Sequence, residues 1–243
     1  MNNMPLLFCL ILLVGACKQD PDDSPKPLST SINQIMPLGA SRVEGARPAF
    51  ESFRYELWKE LLAEDWTFDF VGTQTDEANY PAFAGEDFDP DHEGRGGWTS
   101  GQILAGLPQW LEETGAPDIV LFSSPGGNDA LENLPYEQTA ANLNAIVELL
   151  QAANPDISIL IERLAPARSD LMTPPLARYF ERLQAEVDTL AATKATPSSR
   201  ILVVDMATGF SDDLLADDVH YNAAGAAFVA QRYATMLVDV LEE

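Results

Sequence analysis

The chain is poor in cations, with 14 Lys and Arg against 38 Asp and Glu and a formal charge of −24. That shortage excludes a nucleic-acid partner, because gripping phosphates takes a basic face that displaces condensed counterions. Anionic lipid surfaces are disfavoured for the same reason. Cysteine is as scarce, with only Cys9 and Cys17, so no disulfide framework can carry the fold. Two histidines, His92 and His220, leave no Cys and His set with zinc-ligand spacing and narrow any imidazole chemistry to two positions. No apolar run approaches the 20 or so residues that span a bilayer, and no internal repeat is present. What remains is ordinary: 46% hydrophobic and 21% charged residues, enough for one compact core.

The amino terminus carries its own signal. Residues 6–14 read LLFCLILLV and are followed by Gly15, Ala16 and Cys17. The run is the length of a signal-peptide apolar region, although MNNMPL before it lacks Lys and Arg. Val14 to Cys17 resembles the lipobox of bacterial lipoproteins, whose Cys becomes the lipidated first residue after cleavage. Residues 18–30, KQDPDDSPKPLST, contain three Pro and no aromatic, which reads as an extended tether. The expected organisation is a signal peptide over 1–16, a lipidated Cys17 with tether over 17–31, and one folded domain over 32–243. The implied location is exported, periplasmic or at the outer membrane or cell surface, with the membrane touched only through the lipid.

The body alternates short apolar runs with helical periodicity. Strands are expected at 35–39, 68–72, 118–122, 157–161 and 201–205, each nearly continuous in apolar residues as strands buried on both faces should be. Between them, apolar residues three, four and seven apart mark helices: Phe53, Leu57, Leu61; Leu143, Ile146, Val147, Leu150; Phe180, Leu183, Val187, Leu190; Val229, Tyr233, Met236, Leu237, Val240. A further helix is expected over 99–113. The alternation predicts an α/β fold, a parallel sheet between helix layers, with ligands at the carboxyl edges of the strands. The loops after strands one, two, three and five lie on that edge.

These loops hold the reactive residues. Ser41 sits on a glycine-flanked turn after strand one, an exposed position with backbone N–H groups near a developing oxyanion. Before the last helix, Asp217 stands three residues ahead of His220, so the imidazole can take a proton from Ser41 while the carboxylate fixes its tautomer. Asn128, in Gly126-Gly127-Asn128-Asp129, offers an amide to the same oxyanion, and Gly97 and Trp98 supply a backbone N–H and an aromatic wall. Each segment alone is also read as a turn or helix cap.

In order, the four segments resemble the blocks of the SGNH, or GDSL-like, hydrolases. Ser41 matches the block-one nucleophile, Gly97 the block-two glycine, Asn128 the block-three Asn of GxND, and Asp217 with His220 the block-five DxxH. SFRYELWKELL (52–62), FDFVGTQ (68–74) and DHEGRGGW (91–98) are similar to the carbohydrate esterase branch of the acetylxylan-esterase type. The resemblance implies a three-layer α/β/α sandwich with a five-stranded, flavodoxin-like parallel sheet. It also implies a serine esterase that removes short acyl groups, often acetyl, from acylated carbohydrate. The oxyanion would be held by the N–H groups of Ser41 and Gly97 and by the Asn128 amide; no cofactor or metal is implied. Rival readings are a lipolytic lysophospholipase or thioesterase relative and a carbohydrate-binding relative that has lost turnover. Two departures stand out: the family's Gly-Asp-Ser is Gly39-Ala40-Ser41 here, and the run from Pro117 to Asp129 is one residue longer than usual.

Arg42, Arg95 and Trp98 are the expected substrate contacts, with Arg168 and the 73–97 loop in substrate selection, and a glycine at 97 avoids crowding the substrate. His92 is expected to order its loop. The acidic run 86–93 fails as an EF-hand, lacking Gly at His92 and Glu at Trp98, and leaves only a looser calcium site conceivable. Sugar identity, acyl length and oligomeric state are not encoded in these spacings. The charge excess itself makes a prediction: raising NaCl from low concentration to about 1 M, where the Debye length is about 3 Å, is expected to raise the melting temperature. The rise should be at least about 2 °C, roughly 1 kcal/mol in a chain this size. An unchanged value would remove self-repulsion as a cost of folding.

Overall fold

The structure, a computed structural model, describes residues 26–242. The expected signal peptide, Cys17 and most of the tether lie outside the described residues. Strand β1 (Gln34–Gly39) runs into the one-turn helix α1 (Ser41–Glu44); α2 (Arg54–Ala63), β2 (Asp69–Phe70) and β3 (Glu93–Gly94) follow. Then come α3 (Ser100–Thr114), β4 (Ile119–Phe122), α4 (Gly127–Leu131), α5 (Tyr136–Ala153) and β5 (Ser158–Arg163). The chain closes with α6 (Pro174–Lys194), β6 (Arg200–Asp205) and α7 (Ala223–Leu237).

All the pairings within the sheet are parallel, in the order β2-β1-β4-β5-β6. This is the flavodoxin-like order, with β1 at the switch where crossovers change direction. The five expected strands are therefore present, and a sixth is added. Strand β2 is shorter than its apolar run, pairing only Asp69 and Phe70 with Gln34 and Ile35. Further along β1, Leu38 and Gly39 pair with Glu93 and Gly94 of β3. The long segment after β2 thus returns to extend the same edge, closed on itself by mutual backbone hydrogen bonds between Gln74 and His92. Two short helices, α1 and α4, were also not expected; both are too brief to show a periodic stripe.

The apolar runs of the strands divide by alternation. Met36, Leu38, Val120, Phe122, Ile159 and Ile161 face one buried cluster with Leu107, Ile146, Leu183 and Val187 of α3, α5 and α6. Ile35, Ile119, Leu121, Leu160 and Val204 face the other, with Leu57, Leu61, Val229 and Tyr233 of α2 and α7. Both faces are covered, which is why no strand reads as hydrophobic-polar alternation. At the amino edge, Asn33 donates its amide to the carbonyls of Thr67 and Glu242 and accepts from Glu242 N–H, so the residue that leads into β1 meets the segment after α7 there.

Leu121, fully buried on β4 between β1 and β5, tests this frame. Leu121→Ala is expected to cost about 2–5 kcal/mol, lowering the urea midpoint without altering the slope of the transition. A cost under about 1 kcal/mol would mean that this face is not close-packed.

Candidate active site

Strand β1 ends where a side chain cannot be accommodated. A Cβ on Gly39 would lie 2.8 Å from Val43 and 2.9 Å from the Ser123 carbonyl, so the chain passes closely beneath β4 before turning. Ala40 begins the turn, its carbonyl accepting from Val43 and Glu44 N–H, and Ser41 opens α1. Ala40 makes no side-chain cap. An Asp at this position would be a good N-cap residue, worth about 1 kcal/mol, and Ala40 forgoes that cap.

His220 reaches Ser41 from the far end of the sequence. Its Nε2 lies 2.9 Å from Ser41 Oγ and its Nδ1 2.7 Å from Asp217 Oδ2. An ionised carboxylate only accepts, so Nδ1 carries the proton and Nε2 presents its lone pair to the serine. Asp217 Oδ1 also accepts the N–H groups of Val219 and His220, at 2.9 and 2.7 Å, which curls the loop into the turn that aims the ring. Burial alone would push the Asp217 carboxyl up; the bonds from Val219 and His220 outweigh it and bring the carboxyl down to about 2. Phe50 stacks flat on the imidazole, 3.8 Å between centroids at 12°.

Behind this pair lies a cavity of about 40 Å³ lined by Ser41, Trp98, Asn128, Ile103, Leu164 and Phe180, among others. Asn128, on α4, donates its amide to the Trp98 carbonyl at 2.8 Å, which orients it and leaves its second N–H uncommitted among the described residues. Gly97 is the second inner residue of a turn closed by Trp98 N–H on the Arg95 carbonyl, with φ of +76°. A Cβ there would meet nothing within 4 Å, so the demand for glycine comes from the backbone angle and not from crowding by protein. Gly96 abuts Glu44 of α1: a Cβ on it would collide with the Glu44 carboxyl and come within 4.0 Å of Ser41 Cβ. In the run before Asn128, Ser124 is held at φ of +49° with its N–H on the buried carboxyl of Glu162 at 2.7 Å. Burial pushes that carboxyl up. Asp129, at the cavity's border, ties α3 to α4, accepting from Ser100 N–H and Oγ.

Arg95 and Arg42, expected beside Trp98 as substrate contacts, are both engaged within the protein. Arg95 pairs with the fully buried Glu93, donates to Thr73 and lies 3.7 Å over the Trp110 ring, so it braces the loop. Arg42, only 8% exposed, borders the cavity but spends its donors on the carbonyls of Val219, Ala165 and Pro166. Trp98 does line the cavity. Arg168 holds the base loop from outside, donating to the Asp217 carbonyl at 2.7 Å and pairing with Asp218. His92 is buried, its Nδ1 accepting Gly94 N–H, and burial pushes its pKa down to about 2, so it is neutral. The carboxylates of the 86–93 run turn elsewhere, Asp89 to Phe70 N–H and Asp91 to Lys26. Among the described residues no three His, Cys, Asp or Glu groups converge to hold a metal.

Phe50 and Glu162 were not foreseen. The second left a trace, a carboxylate closing the apolar run ISILIE at a strand's carboxyl end; Phe50 left none, since nothing in its neighbours marks it.

Comparison with known proteins places this geometry. The model of the family described as GDSL-like lipase/acylhydrolase matches residues 38–228. The chain belongs to that family. Among solved structures it resembles a carbohydrate esterase family 3 protein from Talaromyces cellulolyticus, 25% identical with a TM-score of 0.74 over 86% of this chain and 97% of that one. An acetyl esterase variant with an acetate ion matches equally, at 25% identity, TM-score 0.74, and 86% and 97% coverage. A family 3 carbohydrate esterase from Clostridium thermocellum follows at 25% identity, TM-score 0.69, and 86% and 96% coverage. No curated protein matches the sequence significantly. This GDSL-like chain is thus a serine ester hydrolase with carbohydrate esterases among its structural neighbours.

A carboxyl held down by native hydrogen bonds contributes stability that is present above its ordinary pKa near 3.8 and is lost as pH falls through about 2. Carbon-13 NMR of the Asp217 carboxyl is therefore expected to titrate with a midpoint near pH 2. A midpoint at the ordinary carboxylate value would mean that the turn over Val219 and His220 is not closed.

Proposed function

We propose that this hydrolase removes short acyl groups, acetyl above all, from the hydroxyls of carbohydrate through Ser41, His220 and Asp217. The observation that carries the reading is the 2.9 Å contact between Ser41 Oγ and His220 Nε2, backed by Asp217 and opening on a cavity of about 40 Å³. A buried water needs roughly 10–15 Å³ on a comparable measure, so the space suits a group of a few heavy atoms and not a long chain. The neighbouring acetyl and carbohydrate esterases support the same class.

In this reading His220 takes the Ser41 proton on Nε2 as Oγ attacks the ester carbonyl. The tetrahedral oxyanion is met by the second N–H of Asn128 and by the backbone N–H groups of Ser41 and Gly97. His220 then returns the proton to the departing sugar oxygen, and Asp217 keeps the imidazolium oriented and compensated meanwhile. Water, deprotonated by the same ring, releases the acid and restores Ser41. Phe50 restricts the ring to the plane this requires. The proposal includes an exported, lipid-anchored location, supported by the apolar run over 6–14 and by Cys17.

The test is hydrolysis of p-nitrophenyl esters from acetyl to long-chain acyl by the full chain and by Ser41→Ala. Acetate is expected to be the preferred ester, and Ser41→Ala to lose about 10³-fold or more in kcat. Asn128→Ala should lose about 10²-fold or more. Activity that climbs with chain length would establish the lipolytic alternative, and activity indifferent to Ser41 would overturn the mechanism.

A further inference from the structure

Helix α1 is a single turn, too short to hold itself. Its direction, and with it the aim of Ser41, must come from tertiary contacts. Val43 supplies one by packing fully buried against the core. Arg42, the residue next to the serine, supplies the others, and they converge on the loop that carries the base.

The Arg42 guanidinium reaches three backbone carbonyls on two segments of the chain. Nε donates to the Val219 carbonyl at 2.8 Å, immediately before His220. Nη1 donates to the Ala165 carbonyl at 2.8 Å and Nη2 to the Pro166 carbonyl at 3.1 Å, both just past β5. Nη1 also lies 3.4 Å from Ser124 Oγ, in the loop before Asn128. The guanidinium plane lies over the ring of Tyr221, 4.8 Å from its centroid, immediately after His220. A residue adjacent to the serine therefore touches both chain neighbours of the histidine. These carbonyls sit in irregular loops, where no sheet ladder satisfies them, so the guanidinium also answers a hydrogen-bond requirement.

A lysine could not do the same. Three carbonyls arriving from different directions need a planar fork with donors on all sides, whereas an ammonium is a point charge on a flexible stem. The nearby carboxyl of Glu162 is occupied by Ser124 N–H and the Tyr233 hydroxyl and makes no ion pair with Arg42, so the guanidinium remains directed at backbone.

The geometry points to Arg42 as a positioning residue that sets the approach of His220 Nε2 to Ser41 Oγ by gripping the Val219 carbonyl from the nucleophile's own turn. The inference rests on the reading of Ser41 and His220 as nucleophile and base. It separates Arg42 from a substrate contact, because its effect falls on the reacting pair and not on ligand affinity.

The experiment compares full-length wild type, Arg42→Lys and Arg42→Met in hydrolysis of p-nitrophenyl acetate. Alongside it, proton NMR follows the far-downfield Nδ1–H of His220 in its bond to Asp217. A displacement of about 1 Å at a reacting pair can cost 10²-fold. Arg42→Met is accordingly expected to lose about 10²-fold in kcat and Arg42→Lys about 10-fold, with KM within about twofold of wild type. The His220 resonance should broaden or vanish in Arg42→Met while thermal unfolding stays cooperative. A raised KM with kcat retained would overturn the proposal and make Arg42 a substrate contact; so would an unaltered His220 resonance in Arg42→Met. If that variant does not fold, Arg42→Lys decides by the same two readouts. Wild-type hydrolysis that survives Ser41→Ala would sink the esterase reading instead, and the resonance would still decide the role of Arg42.

Discussion

The contact between Ser41 and His220 joins residues 179 apart in sequence, and the rest of the site is arranged around it. Such a contact is expensive to close through chain entropy alone. Here it is a by-product of the sheet. Strand β1 delivers Ser41 to the carboxyl edge, and the chain leaving β6 crosses that same edge before descending through α7. Because all pairings within the sheet are parallel, both arrivals occur on the same side. The core that holds the sheet flat between its helix layers therefore also fixes the distance between the two reacting atoms.

Within that frame the site is made of short, irregular pieces held by polar contacts and not by regular structure. The base loop is gripped on one side by Arg42 at Val219 and on the other by Arg168 at Asp217. Asn222 caps α7 immediately afterwards, accepting from Gly225 N–H. In a molecule with so few cations, two arginines on one loop is a concentrated use of them. They are engaged mainly with carbonyl oxygens, so their contribution is directional hydrogen bonding more than charge neutralisation. Apart from buried carboxylates such as Glu93, Asp129 and Glu162, many are left to solvent and to ion pairs at the surface, where such pairs contribute little each.

Much of this was legible in the residues, and the reason is physical. Strands buried on both faces write themselves as unbroken apolar runs, so 118–122, 157–161 and 201–205 could be placed within a residue or two of β4, β5 and β6. Ser41, Asp217 and His220 were legible because chemistry restricts the residue types and a parallel sheet restricts where they stand. Strand β3 was not, since two residues pairing with the end of β1 leave no pattern. The engagements of Arg42 and Arg95 were not legible for a shared reason: a long cationic side chain near a cleft looks free in sequence, and its destination is decided by carbonyls, carboxylates and ring faces contributed from far away. Phe50 is the extreme case, an isolated aromatic whose role exists only once the fold has laid it on the imidazole.

The knot of hydrogen bonds between Asn33 and Glu242 has a bearing on how the molecule can be mounted. It ties the residue that leads into β1 to the segment that follows α7, at the amino edge of the sheet. The reactive edge lies at the other end of β1, six residues away in extended chain, or roughly 20 Å at the usual rise per residue. Chain that continues past Glu242 therefore leaves the fold on the side of the sheet away from Ser41.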